Sequence, residues 1–450
     1  MKKTNSIVFT LLFLWSCLPF LSQTSPSFQH YQVIDVNKGR PSNKQTYSPP
    51  PVIVRHPTQN KSQSITQSPN AIFAYYQKRS ERMNGESLFP EKQENSIRYI
   101  QELIQKEFTF QENEQIIRTS LPDAVSKQSS FRFQEAYSEI NTMLEGESPM
   151  SLKRAVFLCE NAFFDGRMNY TDYCKQLEQT GFFLKACLKQ EQLDVNEQNI
   201  NYIVHRYLCD TLTLSEQIKP QKSYPIAYDF SDPFGVRDLR KLFVSKLLAE
   251  KSGQCKSMPL LFLILVEELG GKAYLSFAPS HSFIKCRKRN GDLYNLELTN
   301  GHIVSDSWLV ASGFVKAEAI RSGVYMDTLN KKMVVANCLN DLALYYRMRF
   351  HTRDMRVAYD AFSLQCMNRV LEVHSTNVLA LLEKSNYYTV LLNYVAYQKA
   401  YREEREVIND PVTKKLFIQR NKLYALTDGL GLEYMSETQY KNWLNQLGHE

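Results

Sequence analysis

Several kinds of site are missing from this chain of 450 residues. It has no HExxH and no CxxC, and its eight histidines are scattered without paired His/Cys spacing, so no metal centre is expected. There is no Walker-type loop, no dinucleotide glycine fingerprint and no GxSxG element, so no nucleotide cofactor is expected and the serine-hydrolase elbow is excluded. Lys and Arg are interleaved with Asp and Glu throughout. The net charge of +7 therefore forms no basic block with aromatics, and nucleic acid is not an expected partner. After the N-terminal segment no apolar run reaches membrane length.

What is present begins at the N-terminus. Lys2 and Lys3 precede an almost wholly apolar stretch from Ile7 to Leu21. The pattern is that of a secretory signal peptide over 1–22, with a cut after Ser22, although Phe20 is bulky where a small residue is preferred. Two other readings stay open: lipoprotein cleavage at Cys17, with Trp15 awkwardly placed, and an uncleaved anchor. An exported protein of the periplasm or cell envelope is expected, touching membrane only if lipidated or anchored. Removing Cys17 leaves eight cysteines, an even number that suggests disulfides outside the cytoplasm. Cys159, Cys187 and Cys209 instead sit singly on apolar helical segments, as small buried hydrophobes do.

Composition then divides the chain. Residues 23–90 are rich in Ser, Gln, Asn, Pro and Thr, including SPPP at 48–51, and read as a disordered linker. Over 91–223, SIRYIQELIQ, FQEAYSEINTML, LKRAVFLCENAFF and INYIVHRYLCDTL repeat apolar residues at helical spacing, with breaks near Pro149 and Asn169. Residues 224–329 mix one very apolar helix with short alternating strands. Helices return over 330–450, where LNDLALYY and LLEKSNYY share a loose period that relates Ala343 to Ser385, Tyr346 to Tyr388, Ala358 to Ala400 and Tyr359 to Tyr401. This resembles tetratricopeptide helix pairs, with a generic helical bundle as the alternative.

The middle segment carries the chemistry. In SGQCKSMPLLFLILVEELGG, Ser252-Gly253 makes a turn and Lys256–Leu269 reads as a helix that is apolar on every side and therefore buried. Pro259 falls in its first turn, and Gly270-Gly271 ends it. Cys255 thus stands at a helix N-terminus, where free N–H groups and the positive dipole end favour a thiolate and can stabilise an oxyanion. The strand Lys272–Phe277, a Pro279-Ser280 turn and the strand His281–Arg287 follow. Asn290-Gly291 is a hairpin signal, and Leu293–Thr299 is the return strand. A strict two-residue loop would pair His281 with Asn300 and turn Glu297 to the opposite face. An odd loop with a bulge would bring Asn295 and Glu297 onto the face of His281. The loop DFSDPFG at 229–235 either lines the cleft or only shapes a turn.

The run GQCKSMPLLFLILVEELGGKAYLSFAPSHSFIK followed by NLELTNG resembles the transglutaminase-like superfamily, in particular its bacterial branch with short Cys-to-His spacing and tetratricopeptide-like helices behind the core. The similarity is strongest over 229–329. It implies an α+β fold: a transglutaminase-like (papain-like) core, with a helical subdomain before it and tetratricopeptide-like helices after. It also implies roles: Cys255 the nucleophile, His281 the general base and acid, and Glu297 the residue that orients and stabilises the imidazole. The family more usually has Asp at the third position, and Asn295 is the reserve. His302 stands where a second Gly is expected. The expected activity is acyl transfer or hydrolysis at a peptide, amide or isopeptide bond, on a protein or peptide substrate. The alternative is an inactive scaffold that binds protein partners through its C-terminal helices, with Cys255 a structural cysteine and His281 a turn histidine.

Overall fold

The computed structural model describes residues 130–215, 220–235, 238–313, 315–350, 361–401, 404–432, 440 and 442–443. The expected signal peptide, the linker, the SIRYIQELIQ helix and the paired positions Ala358 and Tyr359 lie outside them.

Four helices lead: α1 Phe131–Glu145, α2 Leu152–Phe163, α3 Tyr170–Gln190 and α4 Glu197–Cys209. Polar side chains start three of them. Ser151 caps α2, Asn169 caps α3 and Asn196 caps α4, each accepting from first-turn N–H groups that have no partner within the helix. Pro149 lies in the α1–α2 connection and Asn169 at the next break, as the periodicity implies. A small hairpin follows, β1 Leu212–Leu214 and β2 Gln221–Ser223. Next, β3 Ala227–Tyr228 lies parallel to β4 Ser252–Gly253, with the short helix α5 Val244–Glu250 between them.

The central helix is α6, Ser257–Glu268, and every residue from Ser257 to Val266 is buried. It packs against α3, α4 and α5 on one side and against β5 and β6 on the other. Burying its seven consecutive large apolar side chains contributes on the order of 10–20 kcal/mol of gross transfer free energy. Pro259 occupies the first turn, where no N–H is needed. At the other end Gly270 adopts φ 82°, and the N–H groups of Gly270 and Gly271 bond back to Glu267 and Val266. This is the left-handed termination that glycine makes cheap.

The sheet is antiparallel in the order β5 Tyr274–Ala278, β6 His281–Arg287, β7 Leu293–Glu297, β8 His302–Val304. Its register answers the question that the loop left open. Ile284 pairs with Leu296 and Arg287 with Leu293. The Lys288 N–H bonds the Asp292 carbonyl at 2.7 Å, enclosing the three residues Arg289, Asn290 and Gly291. Gly291 has φ 93°. The odd loop restores the parity that a two-residue turn would break, and Glu297 comes onto the face of His281.

The chain continues through α7 Asp306–Ser312, α8 Ala317–Arg321, α9 Lys331–Phe350, α10 Ala361–Val373, α11 Val378–Gln398, α12 Glu404–Asn409 and α13 Pro411–Gly429. The long rear helices pack in chain order, α9 on α10, α10 on α11 and α11 on α13. Ala343, Tyr346, Ser385 and Tyr388, related by the loose period, are all buried. Helix α9 also packs on α1 and α2, so helices from before and after the sheet share one core. The architecture is α+β. All eight described cysteines are free thiols, and five of them are buried.

The hairpin offers a direct test of the left-handed backbone at Gly291. A Cβ on Gly291 would meet no atom within 4 Å, so the cost of replacing it is purely conformational. Gly291→Ala should lower stability by about 1–2 kcal/mol, and Gly291→Asn by less, measured by urea denaturation. Equal stability of the three proteins would contradict the left-handed loop.

Candidate active site

Two parts of the fold meet at Cys255. One is the turn between β4 and α6. The Gln254 N–H bonds Ser257 Oγ at 3.0 Å, the Gln254 carboxamide donates to the Asp232 carbonyl, and Ser282 Oγ donates to the Cys255 carbonyl. The loop 229–235 therefore shapes this turn through Asp232, while Asp229 is held by Lys241 at 2.8 Å. Helix α6 begins two residues after Cys255, so the first-turn N–H groups that have no acceptor within the helix follow it directly in the chain.

The other part is the start of β6. Ala278 pairs with His281 across the tight Pro279-Ser280 turn, in which Ser280 takes φ 57°. His281 is only 4% exposed. Its Nε2 lies 2.6 Å from Glu297 Oε2. The second oxygen of Glu297 accepts from the Thr299 N–H at 2.9 Å and from the Thr299 hydroxyl, and the carboxylate is fully buried. Nδ1 is 3.3 Å from the Tyr440 hydroxyl, and the Cys255 sulfur lies near enough for it and the imidazole to shift each other's pKa.

The structure thus brings Cys255, His281 and Glu297 together. Asn295 is turned elsewhere: its Nδ2 donates to Asp306 Oδ1 at 2.8 Å and to the Val304 carbonyl at 3.1 Å. Asp306 is also held by Lys285 at 2.9 Å, so Asn295 belongs to a polar cluster at the far end of the face that it shares with Glu297. His302 is exposed and bonded to Asn300. Among the described residues no group of three His, Cys, Asp or Glu side chains is placed to hold a metal ion.

Burial opposes charge at all three positions, and the neighbours overcome it. Burial alone would push the Cys255 thiol up, but His281 and then Tyr440 hold it below its ordinary value. Burial would lower His281, yet the Glu297 carboxylate and the Cys255 sulfur raise it to about 10. Glu297 stays below its ordinary value despite burial because His281 and Thr299 stabilise the carboxylate. All three directions describe thiolate, imidazolium and carboxylate in a row.

Three aromatic residues complete the site without having stood out in the sequence. Tyr228 arrives on β3, whose parallel pairing with β4 sets it opposite Gly253. Its hydroxyl is 3.1 Å from that of Tyr440. Burial, followed by the Cys255 charge, raises both phenols well above their ordinary values, so they remain O–H donors beside the sulfur. The Trp443 ring stands edge-on to His281 at 4.5 Å, and its buried indole N–H has no partner. Tyr440 and Trp443 are three residues apart in SETQYKNWLNQL, with Leu444 and Leu447 continuing the helical spacing that would have marked a shared face. Comparison with family models, curated proteins and solved structures gives no match.

The electrostatics predict reactivity. With the thiol pKa lowered, the thiolate persists below the ordinary range and is lost only as pH falls through the lowered value. In His281→Ala the main lowering influence is gone and burial prevails, so the onset should move above that of a free thiol. Iodoacetamide labelling of Cys255 across pH, followed by peptide mass spectrometry, checks this. Identical profiles for the two proteins would refute the pairing.

Proposed function

We propose that this chain is an exported transglutaminase-like cysteine enzyme that hydrolyses peptide, amide or isopeptide bonds. The observation that carries the reading is the buried imidazole held between the Cys255 sulfur and the Glu297 carboxylate at 2.6 Å. A cysteine at a helix start, a histidine opening a strand and an acid on the neighbouring strand supply nucleophile, proton carrier and orienting charge. The signal-like segment before residue 22 supports export, and no described helix is long and apolar enough to cross a membrane.

In this reading the Cys255 thiolate attacks the carbonyl carbon. The developing oxyanion is met by N–H groups at the start of α6 and by the neighbouring phenol of Tyr440. The His281 imidazolium gives its proton to the leaving amine, and an acyl-enzyme remains. Neutral His281 then takes a proton from water, which attacks the thioester and frees the thiolate. Glu297 keeps the ring oriented through both steps and stabilises its charged form. Hydrolysis is favoured over transamidation because transfer to an amine needs a second site that excludes water.

A second reading has one observation in its favour. Tyr440 and Trp443 crowd the His281 ring, tilted at 6.2 Å and edge-on at 4.5 Å, as they would in an inactive scaffold that binds protein partners through its helices.

Turnover separates the two. On a mixed peptide and isopeptide library, Cys255→Ala should abolish hydrolysis and Glu297→Gln should reduce it by roughly 10⁴-fold. Asn295→Ala should change it little. Activity that survives Cys255→Ala, or no turnover at all by wild type, would defeat the enzyme reading.

A further inference from the structure

A cavity of about 190 Å³ opens beside Cys255 and His281 and runs inward from them. Its walls are mostly aliphatic and aromatic: Leu260 from the first turn of α6, Leu275 and Phe277 from β5, Val334 and Leu344 from α9, and Leu379 from α11. An apolar cavity of about 150 Å³ stays dry and admits a benzene molecule. This one therefore has room for a phenyl ring or a branched or straight chain of about six carbons. Asn340 on α9 also lines the cavity, with its Nδ2 donating to Asn337 and Asn377.

Which half of a substrate enters follows from charge. The leaving amine departs carrying the proton from His281, and the Lys256 and Asp341 charges on the cavity wall are already paired with each other, so the otherwise apolar lining disfavours an ammonium group. The acyl half carries no such charge and stays bonded to sulfur while water enters from outside. A γ-glutamyl donor would bring its polar peptide backbone against the same apolar walls and leave it unpaired.

We propose that this cavity is the acyl-binding subsite and that the substrate's acyl part is an apolar group of about six carbons. The inference rests on the hydrolase reading and names the substrate class for it. Two sources share this chemistry, the residue side of a hydrophobic amino acid and a medium-chain fatty acyl group. In the tested step Cys255 sulfur bonds to the carbonyl carbon of a thioester as the carbon–sulfur bond of the leaving thiol breaks. That thiol takes the proton from His281. Water then gives a proton to His281 and cleaves the new thioester, giving the free acid and restoring the thiolate and imidazolium.

The experiment uses N-acetylcysteamine thioesters with acetyl, butyryl, hexanoyl, 4-carbamoylbutanoyl and N-acetylphenylalanyl groups. Acylation of Cys255 is read by intact mass, and kcat/KM by thiol release. Each methylene that enters the cavity should raise kcat/KM by about fourfold, giving on the order of 10²-fold from acetyl to hexanoyl. The polar carbamoyl compound should fall well below hexanoyl. A lead for N-acetylphenylalanyl over hexanoyl would assign the peptide source, and the reverse the fatty acyl source. Val334→Phe and Leu379→Phe, which fill the cavity from two different helices, should each erase the chain-length gain while Cys255 still labels with iodoacetamide at the wild-type rate. Acylation at equal rates for acetyl, hexanoyl and carbamoyl compounds would overturn the subsite but leave the hydrolase intact. No acylation by any thioester, together with a Cys255 indifferent to His281, would overturn both.

Discussion

The candidate site is organised around one buried interaction, the 2.6 Å contact between His281 and Glu297. Charges taken out of water are costly unless each finds a partner of opposite sign and hydrogen bonds for its remaining polar atoms. Here the second oxygen of the carboxylate is satisfied by Thr299, and the other face of the imidazole by Cys255 and Tyr440. Such a row keeps a thiolate available only while every member is present. The surrounding structure accordingly fixes each of the three backbones by a separate device.

Those devices are local and inexpensive. Cys255 is fixed because α6 is buried on all sides and begins immediately after it, with Ser257, Asp232 and Ser282 pinning the turn. His281 is fixed by the tight Pro279-Ser280 reversal that starts β6. Glu297 is fixed by a loop of odd length about Gly291. A one-residue change there would exchange the two faces of β7 and leave the imidazole facing an apolar side chain. Rigidity near the sulfur comes from the front and rear helices, which share one core around α9. The same helix contributes Val334 and Leu344 to the cavity that leads away from the sulfur.

Much of this was legible in the residues. The all-apolar run from Leu260 to Val266 could only be a buried helix, and its glycine pair marked the end within a residue. Alternation and the Asn290-Gly291 pair located β6 and β7. The register was not legible, because a two-residue turn and a three-residue loop both suit Arg-Asn-Gly and both take a left-handed Gly291; they differ at Asn290, which the two-residue turn would also make left-handed and which is not so here. Asn295 and Glu297 share a face, so periodicity could not separate them; the neighbours do, with Asp306 and Lys285 beside Asn295 and His281 beside Glu297. The aromatic residues were hidden by distance. Tyr440 lies 159 positions from His281, and no short-range pattern announces a contact of that span. Tyr228 depends on a two-residue parallel pairing too brief for any period to reveal.

The most direct measurement of the central claim is the protonation state of His281 by nitrogen-15 NMR of histidine-labelled protein. At pH 8 both ring nitrogens should carry protons, since Glu297 and Cys255 together raise the imidazole to about 10, and Cys255→Ser should lower the titration towards the ordinary value. A neutral ring at pH 7 in the wild-type protein, unchanged by removing the sulfur, would contradict the thiolate–imidazolium–carboxylate row on which the proposed chemistry stands.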